Sequence, residues 1–143
     1  KALQWAKENM GDISLNCLKS LEVEEVRKIL LSLEGVGEKT AACVILFGLR
    51  KPAFPVDTHI SRVARRLSLA PERASDKLIH RIMEDIVPRD KYYPAHLNFI
   101  SHGREVCRAR KPLCDACCIR EWCDWTERVS LVKSDGSVGE GSV

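Results

Sequence analysis

Leu33-Glu34-Gly35-Val36-Gly37-Glu38-Lys39-Thr40-Ala41 is the stretch that decides how this chain folds. Glycines at alternate positions permit positive φ angles and a close approach of the backbone to whatever lies beside it. Upstream, Val23, Val26, Ile29, Leu30 and Leu33 recur at three- and four-residue spacing. They make one buried helical stripe, and Glu22, Glu24 and Glu25 at its start complement the helix dipole. Gly35 stops that helix. Downstream, Thr40 to Leu49 is almost wholly apolar and predicts a second, buried central helix. The stretch is therefore a tight turn between two helices. Amides that open the second helix point outward and form an anion site.

Working outward, the rest of the chain continues in the helical period, and no segment alternates as a strand does. The predicted class is all-α, with six helical segments beginning at Ala2 to Met10. Pro52 and Pro55 bracket the loop after Leu49, and Asp57 sits where an N-cap belongs, ahead of Ile60, Val63, Ala64 and Leu67. Ser75 is the next N-cap, before Leu78, Ile79, Ile82, Met83 and Ile86, and Pro88 ends that helix. A last helix is predicted from about Pro94 to Cys107. Residues 1–103 thus read as one helical region with the hairpin at about 23–49. Residues 104–125 read as a cysteine-rich segment, and 126–143, rich in Ser, Gly and Val toward the end, as a flexible tail.

At 143 residues, 45% apolar and 30% charged, the chain can bury a core and is no disordered tail. Its longest apolar run, Ala41 to Leu49, is nine residues, about half of what spans a bilayer. With no signal-peptide pattern either, an intracellular protein without a membrane partner is expected. The first residue is Lys1, and the chain reads as starting partway through a larger protein. Net charge is +3, but unevenly placed. Residues 50–66 hold Arg50, Lys51, Arg62, Arg65 and Arg66 against Asp57, and residues 104–111 hold Arg104, Arg108, Arg110 and Lys111 against Glu105. Two basic patches in a nearly neutral chain suit a polyanion held on one face; a merely solvated surface is the alternative.

Two side chains near the turn carry possible chemistry. Lys39 falls in the first turn of its helix, where the dipole disfavours a cation and favours a nucleophilic amine. Asp57 lies eighteen residues on, also at a helix start after a turn. Where two such starts converge, the carboxylate accepts a proton from the amine and stabilises a developing cation. Each residue alone reads more simply, as an exposed lysine and as a cap.

The strongest signal is Cys107-x6-Cys114-x2-Cys117-x5-Cys123, four of seven cysteines within seventeen residues. An odd total and the lack of an export signal disfavour disulfides. A four-thiolate metal site remains. Zinc sites usually present two separated C-x2-C pairs, and only one close pair exists here, so a 4Fe-4S cluster is preferred to zinc. Cys118 is the spare. The loop between the first two ligands carries Arg108, Arg110 and Lys111, so the cluster would shape a basic loop against phosphates.

Helix, Leu-x-Gly-Val-Gly, then Lys-Thr-Ala is the helix-hairpin-helix pattern, which grips a DNA backbone without reading its bases. With Val56-Asp57-Thr58-His59-Ile60-x-Arg62-Val63 and His102-Gly103-Arg104 ahead of the four cysteines, the chain resembles the endonuclease III family of helix-hairpin-helix DNA glycosylases over roughly residues 20–125. Glu34 departs from the proline common before Gly-Val-Gly. The resemblance implies base-excision repair of double-stranded DNA, with a damaged or mismatched base rotated out and its glycosidic bond cut. It makes Lys39 the nucleophile on the sugar C1′, Asp57 its supporting carboxylate, and strand nicking through a Schiff base the accompanying lyase step. Gly35, Val36, Gly37, Thr40, Arg62, Arg108, Arg110 and Lys111 would face DNA, while Thr58 and His59 would orient the Asp57 loop or simply cap it. Rival readings are a monofunctional mismatch glycosylase and a non-catalytic DNA-binding module. The family's additional N-terminal helices, which supply wedge and pocket residues, are not among these 143 residues, so weak binding and poor turnover are expected of this chain alone.

Overall fold

The computed structural model describes Lys7, Glu8, Gly11 and residues 15–125. The helix expected over Ala2 to Met10 and the tail expected from 126 lie mainly or wholly outside them. Five helices are described: α1 (Val23–Ser32), α2 (Glu38–Cys43), α3 (Thr58–Arg66), α4 (Asp76–Ile86) and α5 (Tyr92–Glu105). Among the described residues there is no strand.

Local chemistry places the helix starts. Asp57 Oδ1 accepts the Ile60 amide at 2.8 Å and opens α3, and Ser75 Oγ accepts that of Leu78 at 3.3 Å and opens α4. Both are N-caps at the expected residues. Glu22 and Glu25 close a capping box on α1.

Two expectations shift. The helix predicted from Thr40 begins at Glu38 and continues past Cys43 as a π-helical turn over Val44–Gly48, with Leu49 N–H donating to Val44 O at 3.0 Å. An apolar run with no polar face carries no periodicity from which such widening can be read. The last helix runs from Tyr92 to Glu105, earlier at both ends than expected. Pro94 occupies its third position, where a missing amide costs nothing because the first amides lack intrahelical partners anyway.

The core comprises two adjoining clusters with α2 and its π turn between them. Ala41, Ala42 and Ile45 join Leu18, Val26, Leu30 and Leu33 on one side. Leu46 joins Phe54, Ile60, Ile79, Met83 and Tyr92 on the other. Phe54, fully buried, meets the rings of Tyr92, His96 and Phe99 edge-on at 5.7, 6.1 and 6.3 Å. The chain from Ala53 to Val56 thus crosses the middle of the molecule and delivers Asp57 to its surface.

Candidate active site and metal centre

Between α1 and α2 the chain reverses in five residues. Gly35 has φ +84°, the left-handed region that costs an L-residue about 1–2 kcal/mol, so this position calls for glycine. Gly37 caps α2 with an ordinary φ of −97° and, like Gly35, has nothing within 4 Å of where a Cβ would stand. Both glycines, Lys39 and Thr40 are exposed, while Val36 packs partly against the α1–α2 core.

Lys39 and Asp57 line one open cavity of about 580 Å³, together with Gly37, His59, His80 and Arg104. The two helix starts therefore converge. Glu38, the acid beside Lys39, turns away toward Arg27 (3.7 Å) and Lys77 (3.9 Å), and among the described residues no carboxylate pairs with Lys39. Asp57 is half-buried. Both charges reach the same neighbours. Burial raises the Cys43 thiol pKa, which Lys39 draws down and Asp57 pushes up. Burial lowers the His96 pKa, against the pull of Asp57.

The other candidate site is the cysteine segment. Cys107, Cys114, Cys117 and Cys123 line a single apolar cavity with Val63, Arg66 and His102, whereas Cys118 faces a different hollow beside Phe99 and Leu67. Among the described residues no three His, Cys, Asp or Glu side chains close on one ion-sized point. Burial raises the Cys117 thiol pKa, and the neighbouring Cys118, Cys123 and Cys107 add to the rise.

Two arginines one turn apart on α3 hold this segment. Arg62 donates from Nε to Cys107 O (3.0 Å) and from Nη2 to Gly103 O (2.7 Å), and lies 3.1 Å from His59 Nδ1. Arg66, 8% exposed, donates to Cys107 Sγ (3.3 Å), Arg108 O (2.8 Å) and Ala109 O (3.2 Å), and stacks 4.7 Å over Trp125. Arg65 donates to Ala74 O at 2.8 Å and lies 3.6 Å from Asp76. The basic patch read at 50–66 is thus largely turned inward: four of its five cations, Lys51 on Leu21 O among them, satisfy backbone carbonyls, because long cationic stems can bury while their heads find acceptors. The second patch remains outside, with Arg104, Arg108, Arg110 and Lys111 exposed.

Sequence reasoning quoted Gly103 only within a motif, with no role of its own, and passed over two histidines that the site depends on. Gly103 lets α5 cross α3, since a Cβ there would stand 2.9 Å from His59 Cβ; a glycine within a helix was the available signal. Its neighbours split between the sites, His102 lining the cysteine cavity and Arg104 the Lys39–Asp57 cavity. His80 and His96, both buried, were the other omission.

A two-helix hairpin with a glycine turn, a cavity lined by a lysine and an aspartate, and a segment that gathers four cysteines together define a helix-hairpin-helix protein with a cysteine-rich C-terminal segment. No family model matches the chain. It is 36% identical over 118 residues to endonuclease III of Sulfolobus acidocaldarius and 38% over 110 residues to that of Escherichia coli, covering 82% and 77% of this chain. Among solved structures, a trapped endonuclease III–DNA covalent intermediate matches with a TM-score of 0.74 at 28% identity, over 89% of this chain and 55% of that one. A thermostable thymine-DNA glycosylase matches at 0.72 and 26%, over 87% and 55%. Over the matched residues the chain is similar to the endonuclease III family. It spans about half the length of the curated relatives it matches, 52% of each of the two named. Among the described residues no helix is long and apolar enough to cross a membrane.

Proposed function

We propose that this protein is a base-excision DNA glycosylase with associated lyase activity, acting on double-stranded DNA that carries a damaged or mismatched base. The observation that carries the reading is the convergence of Lys39 and Asp57 on one open cavity beside the glycine turn. The similarity in fold to a trapped endonuclease III–DNA covalent intermediate supports it.

In this reading the Lys39 amine attacks the sugar C1′ of a flipped nucleotide. The C1′–N bond breaks with its electron pair leaving on the base, which takes up a proton. Asp57 stabilises the positive charge that develops at C1′ and receives the proton lost by the amine. The C1′–O4′ bond of the resulting aminal then opens, with O4′ taking up a proton, and leaves an iminium at C1′; this acidifies the C2′ hydrogen, so that loss of that proton breaks the C3′–O bond, expels the 3′ phosphate and cuts the strand. Gly35 and Gly37 let a phosphate backbone come close, with Val36 and Thr40 beside it; exposed Arg108, Arg110 and Lys111 supply counter-charge farther along.

Cys107, Cys114, Cys117 and Cys123 would hold a 4Fe-4S cluster. Four thiols spread around one apolar cavity suit a centre that takes one thiolate at each iron, and at Cys117, whose ionisation burial opposes, a cationic partner would stabilise the thiolate. When bound, the cluster would organise a segment that has no fully buried residue of its own. Arg62 serves the inside of that segment in this arrangement rather than DNA.

Borohydride reduction of the gene product reacting with damaged DNA is expected to trap a covalent complex that Lys39→Gln abolishes. Trapping that survives the substitution overturns Lys39 as nucleophile. Strands cut without added base or heat separate the lyase reading from that of a monofunctional glycosylase.

A further inference from the structure

The extended chain from Ala53 to Val56 is buried, and among the described residues no strand lies beside it to satisfy its backbone. Buried amides and carbonyls need partners, and an unpaired one costs on the order of 1–3 kcal/mol. Side chains supply them. Phe54 N–H donates to Glu84 Oε1 at 3.0 Å, and Phe54 O accepts from His80 Nδ1 at 3.0 Å. His80 and Glu84 stand one turn apart on α4, so a single helix face serves both sides of one residue. From α5, His96 Nδ1 donates to Pro55 O at 2.9 Å. A carbonyl can only accept, so both histidines carry their hydrogen on Nδ1.

The same network reaches the lysine. Glu84 Oε1 also takes Arg27 Nη2 at 2.7 Å, and Arg27 Nη1 lies 3.7 Å from Glu38, the residue before Lys39. Polar contacts therefore run from the chain that delivers Asp57, through α4 and α1, to the start of α2. His80 in addition lines the cavity that Lys39 and Asp57 share.

We propose that His80, Glu84 and His96, with Arg27 as the link to α2, form a polar clamp that sets the separation of Asp57 from Lys39, making them positioning residues for the reaction. The inference rests on the catalytic reading of those two residues. Its physical basis is that Asp57 is the residue after an extended segment that, among the described residues, is anchored only by these side chains and by apolar packing. An amine and a carboxylate must act on one sugar carbon, and a misplacement of about 1 Å can cost on the order of a hundredfold in rate.

The test uses the full-length gene product carrying its metal centre, with single-turnover base removal and DNA affinity measured side by side. His96→Leu keeps bulk but removes the donor, whereas His96→Asn returns an N–H near the position of Nδ1. The clamp predicts that His96→Leu slows base removal at least about tenfold with affinity within about twofold, and that His96→Asn recovers most of the rate. A rate for His96→Leu equal to the parent's, or a loss that only follows affinity, overturns the proposal. So does an equal loss in both variants. Glu84→Gln guards against misfolding: it leaves an acceptor for Phe54 N–H but discharges the link to Arg27. A slowed reaction at unchanged affinity supports the clamp, and an unchanged rate overturns the Arg27 link. Asp57→Asn separates the two levels of argument. If it is inactive while His96→Leu is not, the clamp alone fails; if it reacts at the parent's rate, the catalytic reading fails and takes the clamp with it.

Discussion

The hairpin with its aspartate and the cysteine segment are both loops that present chemistry, yet they are held in opposite ways. The first rests on two helix starts, each fixed by local backbone chemistry and backed by a packed core. The second, over residues 106–123, has no fully buried residue and only two short 3-10 turns. Its order comes from Arg62 and Arg66 reaching across from α3, and in the proposed holo-protein from a metal bound by four thiolates. The difference teaches that a site can take its rigidity from the fold beneath it or receive it from groups outside its own segment. Substitutions should tell the two apart.

The largest effect is expected at Arg66. Arg66→Ala removes donors to Cys107 Sγ, Arg108 O and Ala109 O together with the stack on Trp125. Charge-assisted bonds are worth about 1.5–3 kcal/mol each and are not additive, so a loss of roughly 3 kcal/mol is expected. It should fall on the segment alone. Amide exchange in 106–125 should accelerate while α1 and α2 keep their protection; uniform loss throughout the chain would erase the contrast drawn above.

Gly103→Ala comes next, because it strikes the seam between the regions. Its Cβ would stand 2.9 Å from His59 Cβ and 3.4 Å from Val63 Cγ2, so α5 must move off α3 at a cost of about 1–3 kcal/mol. Thermal unfolding should show a lower midpoint, and both amide bands, near Asp57 and near Cys107, should loosen together. Protection lost on one side only would mean that the two sites do not share this crossing.

How much of this was legible in the sequence follows from the range of the interactions. Asp57 and Ser75 were readable as caps because a cap is settled within three residues. The lysine–aspartate convergence was legible only as a condition on two helix starts eighteen residues apart, because tertiary packing decides whether they meet. Cysteine spacing was equally local, and it separated Cys118 from the four that share a cavity. The fate of the arginines was not legible: Arg62, Arg65 and Arg66 count as +3 in any composition, and only the tertiary position of acceptors such as Gly103 O and Ala74 O turns them inward. His80 and His96 were missed for the same reason, since their partners lie 26 and 41 residues away.

Those histidines make the contrast pH-dependent. Burial lowers the pKa of each below the ordinary 6.5; Glu84 and Glu38 oppose the shift at His80 and Arg27 favours it, while Asp57 opposes and Lys39 favours it at His96. A depressed histidine pKa means that the unfolded chain binds more protons between the two values. Stability is therefore full above about pH 6.5 and is lost as pH falls from there through the folded pKa. The midpoint of unfolding of the helical body should drop between pH 7.5 and 5.5, and His80→Asn with His96→Asn should flatten the dependence. A slope unchanged in that double variant would assign the effect elsewhere.

The smallest stability effect is expected at Gly37, and for that reason it is the most informative about DNA. Gly35→Ala should cost about 1–2 kcal/mol wherever it is measured, since φ is +84° and the strain belongs to the chain itself. Gly37 has φ −97° and open space around it, so Gly37→Ala should cost under about 1 kcal/mol as a poorer N-cap. Nothing inside the molecule asks for a glycine there. If the turn receives a phosphate backbone, the added methyl stands where the ligand approaches, and affinity for duplex DNA should fall several-fold while the unfolding midpoint barely moves. Gly35→Ala should show the reverse balance, losing stability first and affinity only through it. Equal affinity for the parent and Gly37→Ala, titrated at one fixed salt concentration, would mean that DNA does not approach α2 at its cap and would move the interface to the exposed Arg108, Arg110 and Lys111 of the cysteine segment.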